Sequence, residues 1–390
     1  MVNSYNLKDL VYQLKPKAER RQKPLADDEL MAFGKMFTDH MFLIDYKDGN
    51  WINARIVPLQ ALQIHPAAKV LHYAQTLFEG IKAYMHQDNE VYLFRPDMNA
   101  NRVNRSADIL AMPNLPLEIQ IAAYHALIDV DRIWVPRQED ASLYVRPNMF
   151  ATQAEFGVSP STTYTLCVTL SPSGPYYPGG FNTPIKLLLT SLYHRVAKGG
   201  TGQAKAGGNY AASLRPFEIG RRLGSKQVLF LDASGIYVSE TGAMNIGTID
   251  ADGQIVTPPF TDEVLPGITT TSVLELNGKH KLKVIQEPIR LDEMVERIYS
   301  RTITEMCGFG TAASVSSVGR IILDTHDPLS AKLLQEEKII MEDGQPTLII
   351  GNGEVGEMTK HVYTVLTGIQ RGKIPAPDGW LQKVERNFSD

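Results

Sequence analysis

Short apolar runs alternate with turn-forming clusters along most of this chain, and the period of the alternation predicts the elements. The stretch MFLIDYKDGNWINARIVPL, residues 41–59, reads as a strand, a turn at Asp48-Gly49 and a second strand. Apolar runs there flank two residues that tolerate positive φ. QDNEVYLFRPD repeats the form, with a turn at Asp88-Asn89 and a strand over 91–95. Between 119 and 130 the apolar positions fall at helical spacing instead, and the pattern stops before DRIWVP. SLYVRP and YTLCVTL, at 142–147 and 164–170, are further strands.

The pattern breaks at SPSGPYYPGGFNTP, residues 171–184, which holds four prolines and three glycines in fourteen positions. Such a segment is too stiff and broken for a strand interior, so it predicts an interdomain connection, and connections of that kind border sites. Beyond it come a strand at IKLLLT, a glycine-rich loop around Lys205 and a helix over roughly 210–223. QVLFLD and IYVSE read as strands, MNIGTIDADGQIVTPP as a hairpin turning at Asp252-Gly253, and LPGITTTSVLEL as a turn that opens a helix. LDEMVERIYS is a further helix, and GFGTAAS a glycine-rich break before SVGRII. Strand, turn and helix alternate without long parallel runs. The fold class expected is therefore mixed α/β in two domains, with mixed, largely antiparallel sheets.

Composition narrows the function classes. At 390 residues the chain is long enough for two cores, with 43% hydrophobic and 21% charged residues. A formal net charge of -4 and a pI near 6.2 give no footprint for nucleic acid or an anionic membrane. Cys167 and Cys307 are the only cysteines, too few for a disulfide framework or a thiolate metal site. No apolar run approaches the roughly 20 residues that cross a bilayer, and the polar N-terminus lacks the features of a signal or transit peptide. A cytoplasmic location is expected, with no metal.

Chemistry is concentrated in TGQAKAGGNY, residues 201–210, where a single lysine stands among three glycines. A phosphate-binding loop fails on spacing, because Lys205 is followed by Ala206 and not by a hydroxyl residue. An exposed turn and a reactive amine both remain. A reactive amine that bonds a cofactor needs a group for the cofactor ring and others for a phosphate, and pyridoxal phosphate fits the residues available. Glu240, at the end of IYVSE, is placed to partner a ring nitrogen; alone it reads equally as a surface acid. Pro266-Gly267-Ile268-Thr269 supplies backbone N–H groups at a helix start, and Gly310-Thr311-Ala312 a hydroxyl and further N–H groups. A rival motif lies near the C-terminus. Gly351-x-Gly353-x-x-Gly356 has dinucleotide-fingerprint spacing, yet 34 residues remain beyond it and they contain no second strand ending in an acid, so a plain strand-to-helix turn is expected.

These pieces resemble the branched-chain amino acid aminotransferases, in the fold type IV group of pyridoxal-phosphate enzymes. LHYAQTLFEGIKAY, VYLFRPDMNANRVNRSA, SLYVRP, GPYYPGG, AKAGGNYAAS, ETGAMN, LPGITTTSV and GFGTAA run in family order from about residue 40 to 370. The resemblance implies that Lys205 bonds the cofactor and carries the proton, that Glu240 partners the pyridine nitrogen and that Tyr210 binds the phenolic oxygen. Arg102, Arg195, Ile268, Thr269 and Thr311 are implied at the phosphate. Tyr73, Phe78, Tyr144, Arg146, Tyr177, Ala243 and Ala312 are implied around the substrate, some of them serving the neighbouring subunit of a homodimer. The domains implied are a polar arm over 1–36, a smaller N-terminal domain over 37–172, a connection over 173–184 and a larger cofactor-binding domain over 185–390. The activity implied is reversible amino transfer between leucine, isoleucine or valine and 2-oxoglutarate.

The chain departs from the family pattern at Thr241 and Ala243, where many large members have Val and Thr. The second change removes a hydroxyl near the implied substrate. Ala313 and Ser316 stand where mammalian members carry a Cys-x-x-Cys pair, so Cys307 is expected to be a buried packing thiol. Three alternatives are kept: a D-amino acid aminotransferase, a lyase of the aminodeoxychorismate type, and a metabolite-binding relative without catalysis.

Overall fold

The computed structural model describes residues 10–30, 32–177 and 179–388; the start of the expected arm, Met31 and Pro178 lie outside the described residues. The chain forms two compact units. The first takes in the chain up to Tyr176, the short segment Ala204–Gly207 and everything from Ile369 onward; the second comprises Tyr177–Gln203 and Gly208–Gly368.

The first unit is built on a nine-stranded sheet. Its order is Val11–Tyr12, Asn50–Pro58, His40–Lys47, Tyr164–Ser173, Ser142–Ala151, Ile81–Met85, Val91–Phe94 and Leu381–Lys383, with Thr76–Phe78 added on Ser142–Ala151. All pairings are antiparallel except that of Val11–Tyr12 with Asn50–Pro58. Successive side chains of a strand point to opposite faces, and that alternation makes the two faces differ. In Ser142–Ala151, Leu143, Val145 and Met149 enter the core, together with Ile81 and Ala83 of the neighbouring strand. The helices Pro96–Ile109 and Leu117–Val130 contribute Val103, Ala107, Tyr124 and Leu127 to the same core. A fully buried aliphatic side chain of this kind contributes about 1.5–3 kcal/mol. The opposite face of the strand carries Ser142, Tyr144, Arg146 and Asn148, and register sets Phe78 opposite Asn148 and Lys82 opposite Tyr144.

Two features differ from the sequence expectation. The tail, assigned to the second domain, returns to the first sheet: Leu381 pairs Phe94, and Arg95 N–H donates to the Trp380 carbonyl. The proline-rich connection begins later than 171, because the strand continues through Pro172 to Ser173. Pairing with its other neighbour, His40–Lys47, ends at Met41 with Thr169, so Pro172 faces a strand on one side only, where proline is tolerated.

The second unit has a ten-stranded sheet of mixed direction. Ile185–Thr190 runs parallel to both Gln227–Leu231 and Ser314–Leu323, and Gln254–Thr257 runs parallel to Lys283–Gln286. The remaining pairings, including the hairpin Asn245–Asp250 with Gln254–Thr257, are antiparallel. The helix Leu291–Tyr299 places Met294, Val295 and Ile298 in a core shared with Leu187, Leu229, Ile246 and Val318. The expected helix over 210–223 is two pieces, Gly207–Ala212 and Leu214–Arg222.

The glycine motif near the C-terminus is a strand-to-helix turn, as expected. The helix Glu357–Gln370 starts against the carboxylate of Glu305, which accepts from the Met358 N–H at 3.0 Å, the Thr359 N–H at 2.8 Å and the Thr359 hydroxyl at 2.7 Å. The place a dinucleotide phosphate would take belongs to the protein's own acid.

Candidate active site

The expected residues fall into two groups, one in each unit. In the first, Lys205 lies on the four-residue excursion Ala204–Gly207. Its backbone is held on both sides: its N–H donates to Ser106 Oγ at 2.9 Å, and its carbonyl accepts from the Phe78 N–H at 3.0 Å. Its amine stands over the Phe78 ring, 4.6 Å from the centroid. Burial pushes the amine down to about 8, with the Arg102 guanidinium lowering it further and Glu79 and Tyr144 working the other way. An exposed-turn reading of this lysine is therefore excluded.

Arg102 is buried on the helix Pro96–Ile109, one turn before Ser106. It meets Glu79 along one edge, Nε to Oε1 at 2.6 Å and Nη2 to Oε2 at 2.9 Å. Asn99 Nδ2 and the Gly80 N–H also donate to Glu79 Oε2, at 2.7 and 3.0 Å. Burial would raise the Glu79 carboxyl, but Arg102, Lys205 and Asn99 together hold it below the usual carboxylate range. Glu79 was missed in the sequence, where it read only as part of LFEGIKAY.

Arg146 lies 4.8 Å from the Phe78 centroid and 5.1 Å from that of Tyr144, and its Nη2 donates to the Tyr144 hydroxyl at 3.1 Å. Gly80 makes room for that hydroxyl, since a Cβ there would sit 2.0 Å from it. A second missed residue completes an aromatic cluster. Phe33 packs edge-on against Tyr144 at 4.7 Å and Tyr176 at 5.0 Å. It comes from the arm read as polar, and its one signal was an aromatic beside Gly34. Tyr73 is in none of these contacts: it is 39% exposed and donates to the Phe156 carbonyl.

In the second unit Glu240 is buried at the end of the strand Val238–Thr241. Arg195, expected with the phosphate group, sits instead against the Glu240 carboxylate, with Nη2 also reaching the carbonyls of Gly202 and Glu263 at 3.3 and 3.1 Å. Asn245 joins Glu240 to the helix Ile268–Glu275. Its Nδ2 donates to Glu240 Oε2 at 3.3 Å and to the Leu265 carbonyl at 3.0 Å, while its Oδ1 accepts from Thr270 Oγ1 at 2.7 Å. Gly267 is required at this approach, because a Cβ would come within 1.9 Å of Asn245 Oδ1. The helix then begins at Ile268 and Thr269, both buried, and among the described residues no side chain caps it. Thr311 and Ala312 form the turn between the strands Ile303–Gly310 and Ser314–Leu323. Tyr210 lies on the helix Gly207–Ala212, Tyr177 packs against the second core, and Ala243 lies in the turn before Asn245.

Each unit by itself carries groups that suit an anionic ligand. Arg146 Nε and Arg195 Nε are buried without a hydrogen-bond partner among the described residues, and the uncapped helix start offers N–H groups to a phosphate. No group of three or more His, Cys, Asp or Glu among the described residues is placed to hold a metal ion.

Comparison with known proteins agrees in family and fold. The family model for amino-transferase class IV matches residues 76–318. The chain is 41% identical to branched-chain-amino-acid aminotransferase 2 of Bacillus subtilis over 367 residues, 93% of this chain and 94% of the relative. It is 40% identical to the branched-chain-amino-acid aminotransferase of Mycolicibacterium smegmatis over 359 residues, covering 90% and 92%. Among solved structures, the Escherichia coli branched-chain amino acid aminotransferase superposes with a TM-score of 0.70 at 24% identity, over 89% of this chain and 99% of that one. The pyridoxal-phosphate form of the Thermobaculum terrenum enzyme gives 0.70 at 18% identity, over 90% and 100%.

Proposed function

This chain belongs to the class IV aminotransferases, among the branched-chain amino acid aminotransferases, and from that premise we propose that it catalyses reversible amino transfer between L-leucine, L-isoleucine or L-valine and 2-oxoglutarate. The cofactor is pyridoxal 5'-phosphate. The single observation that carries the reading within this chain is the half-buried Lys205, fixed by its backbone against Ser106 and Phe78 with its amine over the Phe78 ring.

Lys205 would bond the cofactor, Glu240 would partner its ring nitrogen and Tyr210 its phenolic oxygen. Arg102, Thr311 and the N–H groups of Ile268 and Thr269 would hold the phosphate. Arg195 has the better claim to a different role, as the counter-charge of Glu240. When bound, pyridoxal phosphate supplies an aldehyde that bonds an amine and a ring that accepts the electron pair left when the α-carbon loses its proton. Lys205 Nζ would take that proton from the α-carbon and deliver it to the carbon that had been the aldehyde carbon, acting as base and then acid; an amine pushed down to about 8 is suited to both directions. Arg146, held over Phe78 and Tyr144, offers a cation to a substrate carboxylate. Phe33, Tyr144 and Tyr176 present ring faces and edges, which favour an apolar side chain by fit and buried area.

A homodimer is part of this reading. Leu71, Phe156 and Val158 are 59%, 68% and 85% exposed beside Tyr73, an apolar surface that a second copy would cover. Among the described residues no helix is long and apolar enough to cross a membrane, and a cytoplasmic location is proposed.

A panel of donors with 2-oxoglutarate, measured as kcat/KM, tests the reading. Leucine, isoleucine and valine are expected to lead and alanine and aspartate to trail by orders of magnitude, since each missing methylene costs about 1–3 kcal/mol. Lys205→Ala is expected to lose all turnover and the visible absorbance of the bound cofactor. A D-amino acid or an aromatic donor leading tenfold would remove the substrate assignment, and an unchanged band in Lys205→Ala would remove the catalytic one.

A further inference from the structure

We propose that Glu79 is a positioning residue of this reaction: its buried carboxylate fixes the Arg102 guanidinium and supplies the counter-charge that governs how tightly the Lys205 nitrogen holds its proton. The inference rests on the functional reading above and goes beyond it to a residue that reading does not use.

Four donors converge on the two oxygens of Glu79. Arg102 Nε and Nη2, Asn99 Nδ2 and the Gly80 N–H lie within 2.6 to 3.0 Å. The carboxylate is itself fully buried, and its own N–H donates to the Pro147 carbonyl at 2.8 Å. Two parallel bonds along one edge leave a planar guanidinium a single orientation, which a lone bond would not do. Asn99 reinforces it by donating also to the Gly80 carbonyl at 3.0 Å.

Glu79 is also tied to the lysine through the fold. Asn99, Arg102 and Ser106 lie on one helix, and Ser106 anchors the Lys205 N–H. Phe78, adjacent to Glu79, donates its N–H to the Lys205 carbonyl. The charged and titratable groups acting on Lys205 are Arg102, Glu79, Tyr144 and Arg146, and Glu79 is the acid among them. Tyr124, from the helix packed below, also feels the Glu79 charge and is buried. Two cationic groups, Arg102 and Lys205, thus act on one fixed carboxylate.

The test is an absorbance titration of the cofactor-loaded protein, following the protonation of the nitrogen that links Lys205 to pyridoxal phosphate. Glu79→Gln keeps the shape and removes the charge, and its titration midpoint is expected to fall, with the proton dissociation constant raised roughly tenfold. Glu79→Asp keeps the charge and is expected to titrate within about threefold of the parent. An unmoved midpoint in Glu79→Gln overturns the proposal, as does a shift in Glu79→Asp as large as that in Glu79→Gln. If Glu79→Gln does not fold, the neutral Glu79→Met takes its place with the same expected fall in midpoint, and an unmoved midpoint there overturns the proposal. A parent protein with no cofactor band would sink the functional reading itself, which is a different outcome from a band that fails to move.

Discussion

Arg195 and Glu240 are each other's ion-pair partner in the interior of the second unit, with 2% and 4% of their side chains exposed. A buried pair of this kind is kept in one geometry, and breaking it leaves an uncompensated charge that costs about 3–5 kcal/mol. Asn245 adds a third group, so the carboxylate is oriented from two sides. Glu240→Gln is therefore expected to retain cofactor yet lose on the order of 10²–10⁴ in kcat, and to melt earlier than the parent. Steady-state rates alongside cofactor content would check this, and near-parental turnover would show that the wrong carboxylate had been chosen.

The state of Lys205 predicts a pH dependence in the cofactor-free protein. Only the neutral amine attacks an aldehyde, and this amine is pushed down to about 8 by burial and by Arg102. The second-order rate of pyridoxal phosphate capture should rise close to tenfold per pH unit below 8 and level off above it. Stopped-flow absorbance after mixing gives the profile. A rate still climbing at pH 10 would mean that the amine is solvated like an ordinary lysine.

Gly80 offers a steric test of the aromatic cluster. A Cβ at this position would lie 2.0 Å from the Tyr144 hydroxyl, so Gly80→Ala must push the ring away from Arg146 and Phe33. Overpacking of this kind costs about 1–3 kcal/mol. The loss is expected in KM for leucine more than in cofactor retention. Unchanged kinetics would place the substrate elsewhere.

The two cysteines should be inert. Cys167 is pushed up to about 11 and Cys307 higher still, in both cases chiefly by burial. At pH 8 neither presents a thiolate, and a thiol reagent should count no sulfhydryl in the native protein and two after denaturation. One fast-reacting thiol in the folded enzyme would contradict this.

Much of this architecture was legible in the sequence, for local reasons. The turn at Asp48-Gly49 joins two strands as expected, with Asp48 at φ 51 and Gly49 at φ 80, because turn residues and flanking apolar runs agreed. The hairpin at Asp252-Gly253 and the helix starting at Ile268 were read in the same way. What stayed hidden depended on distant partners. Leu381–Lys383 is a short strand whose place beside Val91–Phe94 is set by tertiary pairing, and nothing in its three residues, LQK, announces it. Glu79 has its arginine 23 positions later in the chain, so neither residue alone signals a buried pair. Arg195 is grouped with the phosphate by resemblance, yet from its loop it meets Glu240, an acid on the strand Val238–Thr241. Phe33 was lost in an arm whose average polarity concealed one anchored ring.

The acid against the start of the last helix bears on what that turn could bind. Glu305 already satisfies the N–H groups of Met358 and Thr359 that a nucleotide phosphate would need. Drift toward nucleotide binding at those glycines would have to pass through loss of that acid, and the first effect of the loss would be an uncapped helix with no ligand to replace it. The cap of this helix therefore lies more than fifty positions upstream, on the strand Ile303–Gly310, and the turn's glycines and a distant strand act as one unit.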